Sequence, residues 1–224
     1  MLKYNSKLLK DYELIHVGVS MGLDSVVMSH FLARGMKQLM LINVNHKTEH
    51  GESCVEPFNK YCEWLKTQRQ QHNKPPELWH TVSGAAGDTT GFNEAQLRDY
   101  RYGVFDNGFR DSQNEALIMC HHLDDAVESY LMNTFTGKVT GRHPLPISTT
   151  RTNYKVLRPF IRTKKKNIIK YAQHYDLMKW VKEDKSNEDL TIRRNWIRLK
   201  LRPEIESEYG SLNKVVAKKY NQTY

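Results

Sequence analysis

The sequence contains no long apolar run and begins without the pattern of a secretory signal. None of its apolar stretches approaches the roughly eighteen residues that a membrane-spanning helix needs, which argues against a membrane protein. The N-terminal segment MLKYNSKLLKDYEL carries scattered charges and lacks an apolar core. We therefore expect a cytoplasmic location and no membrane partner.

Cysteine is also scarce. The three cysteines, Cys54, Cys62 and Cys120, form no C-x-x-C pair, and their number is odd. Disulfide frameworks use even numbers, and zinc or iron–sulfur sites typically use closely spaced cysteine pairs. The cysteine pattern thus favours a reducing compartment and argues against zinc and iron–sulfur sites.

Positive charge is concentrated in the last third of the 224 residues. Residues 1–150 contain 15 Lys and Arg against 17 Asp and Glu, whereas residues 151–224 contain 19 against 8. The second segment therefore has a net charge of +11, which is typical of proteins that bind a polyanion, although excess lysine can also serve solubility alone. On charge, nucleic acid is the favoured partner.

Strand and helix patterns alternate along the first two thirds of the chain. Apolar, β-branched runs predict strands at residues 14–19, 38–44, 78–82 and 116–120, and apolar periodicity predicts helices at 24–33, 52–70, 93–105 and 124–135. This alternation indicates an α/β fold, a doubly wound parallel sheet with right-handed crossovers. Strand four is expected beside strand one, on the side away from strands two and three.

The remaining segments predict loops and a small helical extension. Residues 83–91 are glycine-rich and predict a flexible connection, and residues 137–146 predict a second loop. The rest of the chain predicts an edge strand at 156–160, helices at 164–175 and 194–201, a loop at 183–189 and a C-terminal end that frays.

The segment Ser20-Met21-Gly22-Leu23-Asp24-Ser25 lies directly between the first strand and the first helix. Small residues there let the backbone approach a phosphate, and the helix N-terminus offers free N–H groups. Asp24 suits a phosphate site only if a divalent cation bridges the two anions, which indicates Mg²⁺. By itself the pattern fits a helix N-cap at Ser20 or Asp24 about as well.

A second polar cluster, His121-His122-Leu123-Asp124-Asp125 with Glu128, follows the fourth strand. In a doubly wound sheet the loops after strands one and four flank the crevice where ligands bind. Asp24 and the Asp124/Asp125 pair are therefore expected to converge there. Helix capping by His121 and Asp124 is the alternative.

The S-x-G-x-D-S pattern resembles the S-G-G-x-D-S loop of PP-loop ATP pyrophosphatases, which split ATP into AMP and pyrophosphate. The chain departs from that pattern at Met21, where the family usually has glycine. If the loop requires a positive φ there, methionine strains or reshapes the turn.

Within the PP-loop superfamily, H-H-x-D-D-x-x-E resembles the corresponding motif of the bacterial tRNA(Ile)-lysidine synthetases. Further matches to that family follow in the same order along residues 14–203. They are Val44-Asn45-His46 with Gly51-Glu52-Ser53, Glu94-Ala95-x-x-Arg98-x-x-Arg101-Tyr102, Arg158-Pro159-Phe160, Glu183-Asp184-x-Ser186-Asn187 and Arg194-Asn195-x-x-Arg198. On a helix, Glu94, Arg98 and Arg101 share one face, although an ordinary solvated face has the same spacing.

The resemblance implies a reaction, its ligands and its residues. ATP adenylates the wobble cytidine of an isoleucine tRNA, and free L-lysine then displaces AMP to form lysidine. The implied catalytic residues are Asp24, Asp124, Asp125, Arg101 and Arg198, and the implied Mg²⁺ ligands are Asp24 and Asp125. The implied nucleotide-binding residues are Ser20, Met21, Gly22, Leu23, Ser25, His46, Arg98 and His122. Asp124 is alternatively the acceptor of the lysine amine.

In this interpretation residues 1–150 form the PP-loop nucleotide-binding domain, of the adenine nucleotide α-hydrolase type. Residues 151–224 form the basic C-terminal part of the same catalytic core and contact RNA. Three alternatives stay open: a PP-loop enzyme acting on another RNA base, an amide-forming synthetase for a small carboxylate, and a domain that binds nucleotide or RNA without catalysis. The sequence leaves assembly into a homo-oligomer open.

Overall fold

A computed structural model describes residues 2–74, 77–84, 89, 91–109, 114–137, 143–151 and 153–221. Within the predicted glycine-rich connection, residues 85–88 and 90 lie outside this description, as do residues 138–142 of the second predicted loop. The same holds for the side chain of Glu94. No helix among the described residues is long and apolar enough to cross a membrane.

A six-stranded sheet organises the chain. Its strands are β1 (Leu14–Gly18), β2 (Gln38–Val44), β3 (Leu78–Ser83), β4 (Glu115–Ile118), β5 (Ser148–Thr150) and β6 (Lys155–Leu157). Their order is β3-β2-β1-β4-β6-β5, and only β5 runs antiparallel to its neighbour. The predicted α/β doubly wound fold is confirmed, with β4 and β2 on opposite sides of β1.

Eight α-helical segments accompany the sheet in the described chain. They are α1 (Leu23–Ala33), α2 (Glu49–Gln71), α3 (Glu94–Gly108), α4 (Leu123–Phe135), α5 (Lys165–His174), α6 (Arg193–Trp196), α7 (Arg202–Tyr209) and α8 (Leu212–Tyr220). The predicted helices at 24–33, 52–70, 93–105, 124–135 and 164–175 agree with α1 to α5 apart from small shifts at their ends.

The prediction of an edge strand at residues 156–160 is wrong. Strand β6 is shorter and lies between β4 and β5, and β5 forms the edge. Val156 and Leu157 of β6 are both buried, whereas all three residues of β5 are exposed. An exposed polar strand of three residues has no apolar pattern that would predict it.

The C-terminal segment is also more ordered than predicted. The helix expected at residues 194–201 begins at Arg193 and continues through a turn of π-helix, Ile197–Leu201, into α7. Instead of fraying, the chain then forms α8, which buries Leu212, Val216 and Tyr220. These apolar side chains are spaced four residues apart and pack with Leu123 and Val127 of α4 in one buried cluster.

The core around β1 fixes the carboxyl edge of the sheet, where the site residues lie. Ile15 and Val17 of β1 pack with Val26 of α1 and Phe58 of α2, and all four side chains are fully buried. Arg69 near the end of α2 is buried as well and donates to the Ala33 carbonyl at the end of α1, 2.8 Å away. A positive side chain at a helix C-terminus is favourable, so Arg69 ties α2 to α1.

We expect Tyr220→Phe to lower the free energy of unfolding by about 1–2 kcal/mol, because it leaves a backbone carbonyl without its donor. The fully buried Tyr220 hydroxyl donates to the Leu145 carbonyl at 2.8 Å and accepts from the Leu145 N–H at 3.3 Å. Urea unfolding measures the change. Tyr209→Phe is the matched control, since Tyr209 is 86% exposed. Equal stability of the two variants would show that α8 is not held through this hydroxyl.

Candidate functional site

The side chains singled out from the sequence lie where β1, β2 and β4 end. The Ser20–Ser25 loop follows β1, His46 follows β2, and His121 and His122 follow β4. Because these strands are parallel, their carboxyl ends lie at one edge of the sheet. Strand β2 lies on one side of β1 and β4 on the other, so the strand order changes direction between β1 and β4. The helices that follow these two strands, α1 and α4, therefore flank a crevice.

The Ser20–Ser25 loop presents free backbone donors at the start of α1. Gly22 is the N-cap of α1, and a glycine has no side chain with which to cap the first turn. The Ser25 hydroxyl donates to the Gly22 carbonyl at 2.9 Å and accepts from the Ser20 N–H at 3.2 Å, so it stabilises the turn through two hydrogen bonds. The exposed Ser20 and the uncapped N–H groups of α1 are donors of the kind that bind anions at helix N-termini.

Met21 has a backbone conformation that is unfavourable for any residue with a side chain. Its φ is +63°, in the left-handed region that favours glycine. The side chain is fully buried in the core, and the carbonyl accepts a hydrogen bond from Lys182 N–H at 2.9 Å. Burial of the side chain therefore offsets the backbone strain, and the turn keeps the conformation that glycine would give it.

His122 links the two acidic segments. Its Nε2 lies 3.3 Å from Asp24 Oδ1 and 3.5 Å from Asp125 Oδ2, and its Nδ1 lies 3.6 Å from Asp124 Oδ2. Burial alone would lower the pKa of His122, but the Asp125 charge and the hydrogen bonds to Asp124 and Asp24 raise it to about 10. His122 is therefore an imidazolium near neutral pH, and it holds Asp24, Asp124 and Asp125 together.

Asp24 has a second cationic partner that no sequence pattern had indicated. The ammonium of Lys165, at the start of α5, lies 2.7 and 2.9 Å from the two Asp24 carboxylate oxygens. Burial would raise the pKa of Asp24, whereas His122 and Lys165 lower it, and the net direction is downward. The carboxylate that faces the loop is thus ionised and paired on both sides.

Asp124 is engaged in a network of its own. Its Oδ2 accepts from Lys165 N–H at 2.8 Å, and its Oδ1 lies 2.8 Å from Arg202 Nη2 and 3.3 Å from Asn213 Nδ2. Burial opposes ionisation, but His122, Lys165 and Arg202 together hold the pKa of Asp124 well below its usual range. These partners tie α4 to α5, α7 and α8, so the geometry gives Asp124 a structural role.

Glu128 and two arginines form the wall of the crevice opposite α1. Glu128, almost fully buried, accepts from Arg194 Nε at 2.7 Å and from Arg198 Nε and Nη2 at 2.7 and 3.1 Å. Arg194 Nη2 also lies 3.5 Å from Asp125 Oδ1. A carboxylate with two guanidinium partners keeps a net positive charge beside Asp125, which suits a phosphate or another anion.

The basic face of α3 lies along the same edge of the sheet. Burial, followed by the charge of Arg101, lowers the pKa of His46 to about 4. Burial also lowers the pKa of His121 to about 3; Asp125 opposes this shift, and the charges of Arg158, Arg194 and Arg98 add to it. Both histidines are neutral, so Arg98 and Arg101 contribute the positive charge at this side of the crevice.

The carboxylates that converge on His122 fit a magnesium ion bound together with ATP. Mg²⁺ usually takes one or two protein carboxylates and completes its coordination with phosphate oxygens and water. Asp24 and Asp125 supply two carboxylates on opposite walls, each with an oxygen within 3.5 Å of His122 Nε2. Among the described residues there is no group of three or more His, Cys, Asp or Glu that could hold a metal ion.

The structure brings together most, but not all, of the site residues predicted from the sequence. Ser20, Gly22, Asp24, His122, Asp125 and Arg198 lie around the crevice between α1 and α4, whereas His46 and Arg101 lie on the side of it that follows β2. The sequence motifs contained Glu128 and Arg194 without naming them as site residues, and sequence reasoning gave no role to Lys165 or Arg202. The spacing of four between Arg194, Arg198 and Arg202 was an available signal, but Lys165 lies in a lysine run that carries none.

Comparison with known families agrees with this arrangement. A family model described as a PP-loop domain matches residues 2–205, which is most of the chain. The chain belongs to the PP-loop family. The match includes the Ser20–Ser25 segment and the N-terminus of α1.

Among curated proteins, the PP-loop chain is similar to tRNA(Ile)-lysidine synthases from several bacteria. The protein from Lactiplantibacillus plantarum is 29% identical over 225 residues, which cover 95% of this chain and 46% of that protein. Proteins from Legionella pneumophila and Staphylococcus aureus are each 30% identical over 199 residues and are covered to 43% and 44%. The chain thus spans less than half the length of these relatives.

Two solved structures share the fold at low sequence identity. The U34-tRNA thiolase NcsA from Methanococcus maripaludis superposes with a TM-score of 0.72 at 16% identity, covering 98% of this chain and 75% of that one. NMN synthetase from Francisella tularensis gives 0.51 at 12% identity, covering 98% and 88%. At such identities the likeness concerns the PP-loop fold alone.

We expect Met21→Gly to destabilise the protein by about 2 kcal/mol, since losing a buried methionine costs about 2–5 kcal/mol and relief of a left-handed backbone returns only about 1–2. Met21→Ala loses the side chain but keeps the strain, so it should cost about 1 kcal/mol more. Urea unfolding of both variants measures the difference. Met36→Ala, at a 65% exposed methionine, is the control. A Met21→Gly variant more stable than the parent would mean that strain dominates.

Proposed function

We propose that this chain modifies tRNA in an ATP-dependent reaction, by adenylating the wobble cytidine of an isoleucine tRNA and then joining lysine to it. The observation that carries the proposal is the convergence of the PP-loop with Asp24, Asp125 and His122 at the switch point of the sheet. The similarity to tRNA(Ile)-lysidine synthases supports the choice of substrate.

The first half-reaction needs an anion site, charge neutralisation and no enzyme nucleophile. Cytidine O2 attacks the α-phosphate of ATP, and pyrophosphate leaves. Ser20, Gly22 and the N–H groups of α1 bind the departing phosphates, and Arg198 and Arg194 neutralise charge from the α4 side. Asp24 and Asp125 would hold Mg²⁺, whose charge offsets that of the phosphates. In the free protein the ammonium of Lys165 and the imidazolium of His122 neutralise these carboxylates.

The second half-reaction transfers the activated base to an amine. The ε-amine of lysine attacks C2 of the base, the C2–O2 bond breaks, AMP leaves, and the attacking nitrogen loses a proton. The sequence offered Asp124 as the amine acceptor, but its oxygens are already engaged by Lys165 N–H, Arg202 and Asn213. Asp125, whose partners are His122 and Arg194, is the better placed carboxylate for an amine in the crevice.

The basic C-terminal part is the proposed RNA-binding surface. Residues 151–224 hold the net charge of +11, and exposed lysines such as Lys166 and Lys170 lie on α5 beside the crevice. Phosphate neutralisation by such residues supplies most of the affinity of a protein for RNA and makes it dependent on salt. A target base in a tRNA loop is accessible because loop bases can leave their stack.

Sulfur transfer, the activity named for the thiolase NcsA, has less support here. Cys54 and Cys62 are buried, and Cys120 is half-buried with a pKa raised by burial. A thiol in that state is a poor nucleophile and a poor metal ligand. The cysteines therefore do not supply the closely spaced, reactive pair that thiolation chemistry uses.

We expect Asp24→Asn to reduce tRNA-dependent pyrophosphate release at least about a hundredfold, because it removes one of the two carboxylates that would hold Mg²⁺ against the leaving phosphates. Pyrophosphate release is measured with tRNA present, with and without lysine. Asp176→Asn is the matched control: Asp176 is exposed, pairs only with Lys179 at the surface and has a φ of +51°, which asparagine tolerates. A wild-type rate in Asp24→Asn would show that the loop is structural.

We further expect lysine to enter the RNA. The protein is incubated with tRNA, ATP and isotopically labelled lysine, and the RNA is digested to nucleosides for mass spectrometry. The expected product has the mass of cytidine plus lysine minus water, and it requires ATP. Accumulation of adenylated RNA without lysine would leave the adenylation proposal standing and refute the amine assignment.

A further inference from the structure

An open groove lies beside the crevice, on the far side of the Glu128 cluster. Its volume is about 650 Å³, and its walls are Met132, Phe135 and Thr136 of α4 and Leu190, Arg193 and Trp196 of the facing segment. Two aromatic residues leave much of their surface to solvent, with Phe135 66% and Trp196 45% exposed. None of these residues has a role in the proposed chemistry.

The groove lies along the same face of α4 as Glu128, which belongs to the candidate site. Glu128, Met132 and Phe135 lie four and three residues apart, so they face the same direction on the helix. At about 1.5 Å per residue, the groove begins about 6 Å beyond Glu128 and extends to about 10 Å. Unstacked nucleotides can lie farther apart than the stacked duplex spacing of about 3.4 Å, so neighbouring bases of one loop can span this distance. A base in the crevice and a neighbouring base in the groove can therefore belong to one RNA loop.

Residues 193–198 contribute side chains to both the crevice and the groove, from different faces of the segment. Arg194 and Arg198 bind Glu128 in the crevice, whereas Arg193 and Trp196 line the groove. Any change in the position of this short helix moves both sets of side chains together. The groove and the crevice are thus neighbours that share one short helical segment.

The chemistry of the groove matches an unstacked nucleobase with its phosphate. Exposed aromatic rings next to arginine are the arrangement on which single-stranded bases stack. Arg193 is exposed at the rim, and the nearby Asp189 carboxylate is occupied by Thr191, whose N–H and hydroxyl donate to it at 2.8 and 2.7 Å. On the other side of α4, Lys219 lies 5.3 Å from the Tyr130 ring and adds positive charge.

We propose that the Phe135–Trp196 groove binds an unpaired loop base adjacent to the base that enters the crevice, a role that rests on the proposed function. The occupant is single-stranded RNA rather than another protein, because the surrounding segment carries the excess positive charge of the chain. Stacking in the groove would hold the loop open while its neighbour reacts. The groove then contributes to selecting a loop over a duplex, since paired bases cannot enter it.

The test compares a fluorescent hairpin RNA that has a seven-nucleotide loop containing cytidine with a blunt duplex of matched length. We expect Trp196→Ala and Phe135→Ala each to weaken hairpin binding on the order of tenfold, the loss of one stacked base. Duplex binding and the dependence of hairpin affinity on salt should not change, because no phosphate contact is removed. Trp196→Phe should recover most of the affinity. Trp79→Ala, at a 43% exposed tryptophan on β3, is the control.

Unchanged hairpin affinity in Trp196→Ala, or equal losses for hairpin and duplex, would overturn the proposal. So would a dimer of the parent protein, seen by sedimentation, that dissociates in Trp196→Ala, because a second copy would then fill the groove. Pyrophosphate release with whole tRNA is measured in parallel. Suppose that the parent releases pyrophosphate only with tRNA and that the groove variants bind the hairpin normally. The groove inference is then wrong, while the proposed function still stands. If the parent binds no RNA, both proposals fail.

Discussion

The candidate site depends on a buried imidazolium at the end of β4. Three carboxylates within one crevice would repel one another, and burial would raise their pKa values until they took up protons. His122 lies within 3.6 Å of Asp24, Asp124 and Asp125 and keeps all three ionised. These carboxylates in turn form ion pairs with Lys165, Arg194 and Arg202, which join α5, α6 and α7 to the site.

The strands and helices that have a clear apolar pattern in the sequence could be predicted from it. Strands β1 to β4 are buried apolar runs, and α1 to α5 show the matching periodicity, so their order and the switch point followed. Strand β5 could not be predicted, because its residues Ser148–Thr150 are polar and exposed and pair only by backbone hydrogen bonds. Helix α8 had a signal in Leu212, Val216 and Tyr220, which the surrounding lysines obscured.

The site residues also divide into those that local motifs predict and those that they do not. Asp24, His122 and Asp125 follow strands and belong to motifs, so their convergence was foreseeable from topology. Lys165 is 141 residues from Asp24 in sequence, and no local pattern connects the two. The crowding of Asp124 by Arg202 and Asn213 depends on helices beyond the last motif. Long-range ion pairs of this kind are set by the packing of whole helices, which a single sequence does not encode locally.

The turn of π-helix at Ile197–Leu201 has a consequence for the spacing of the arginines. In a regular α-helix each step of four residues rotates the side chain by about 40°, so Arg202 would point about 80° away from Arg194. A wider turn with i→i+5 bonds takes up part of this drift. Arg194, Arg198 and Arg202 can then face α4 together, each in contact with a carboxylate of that helix.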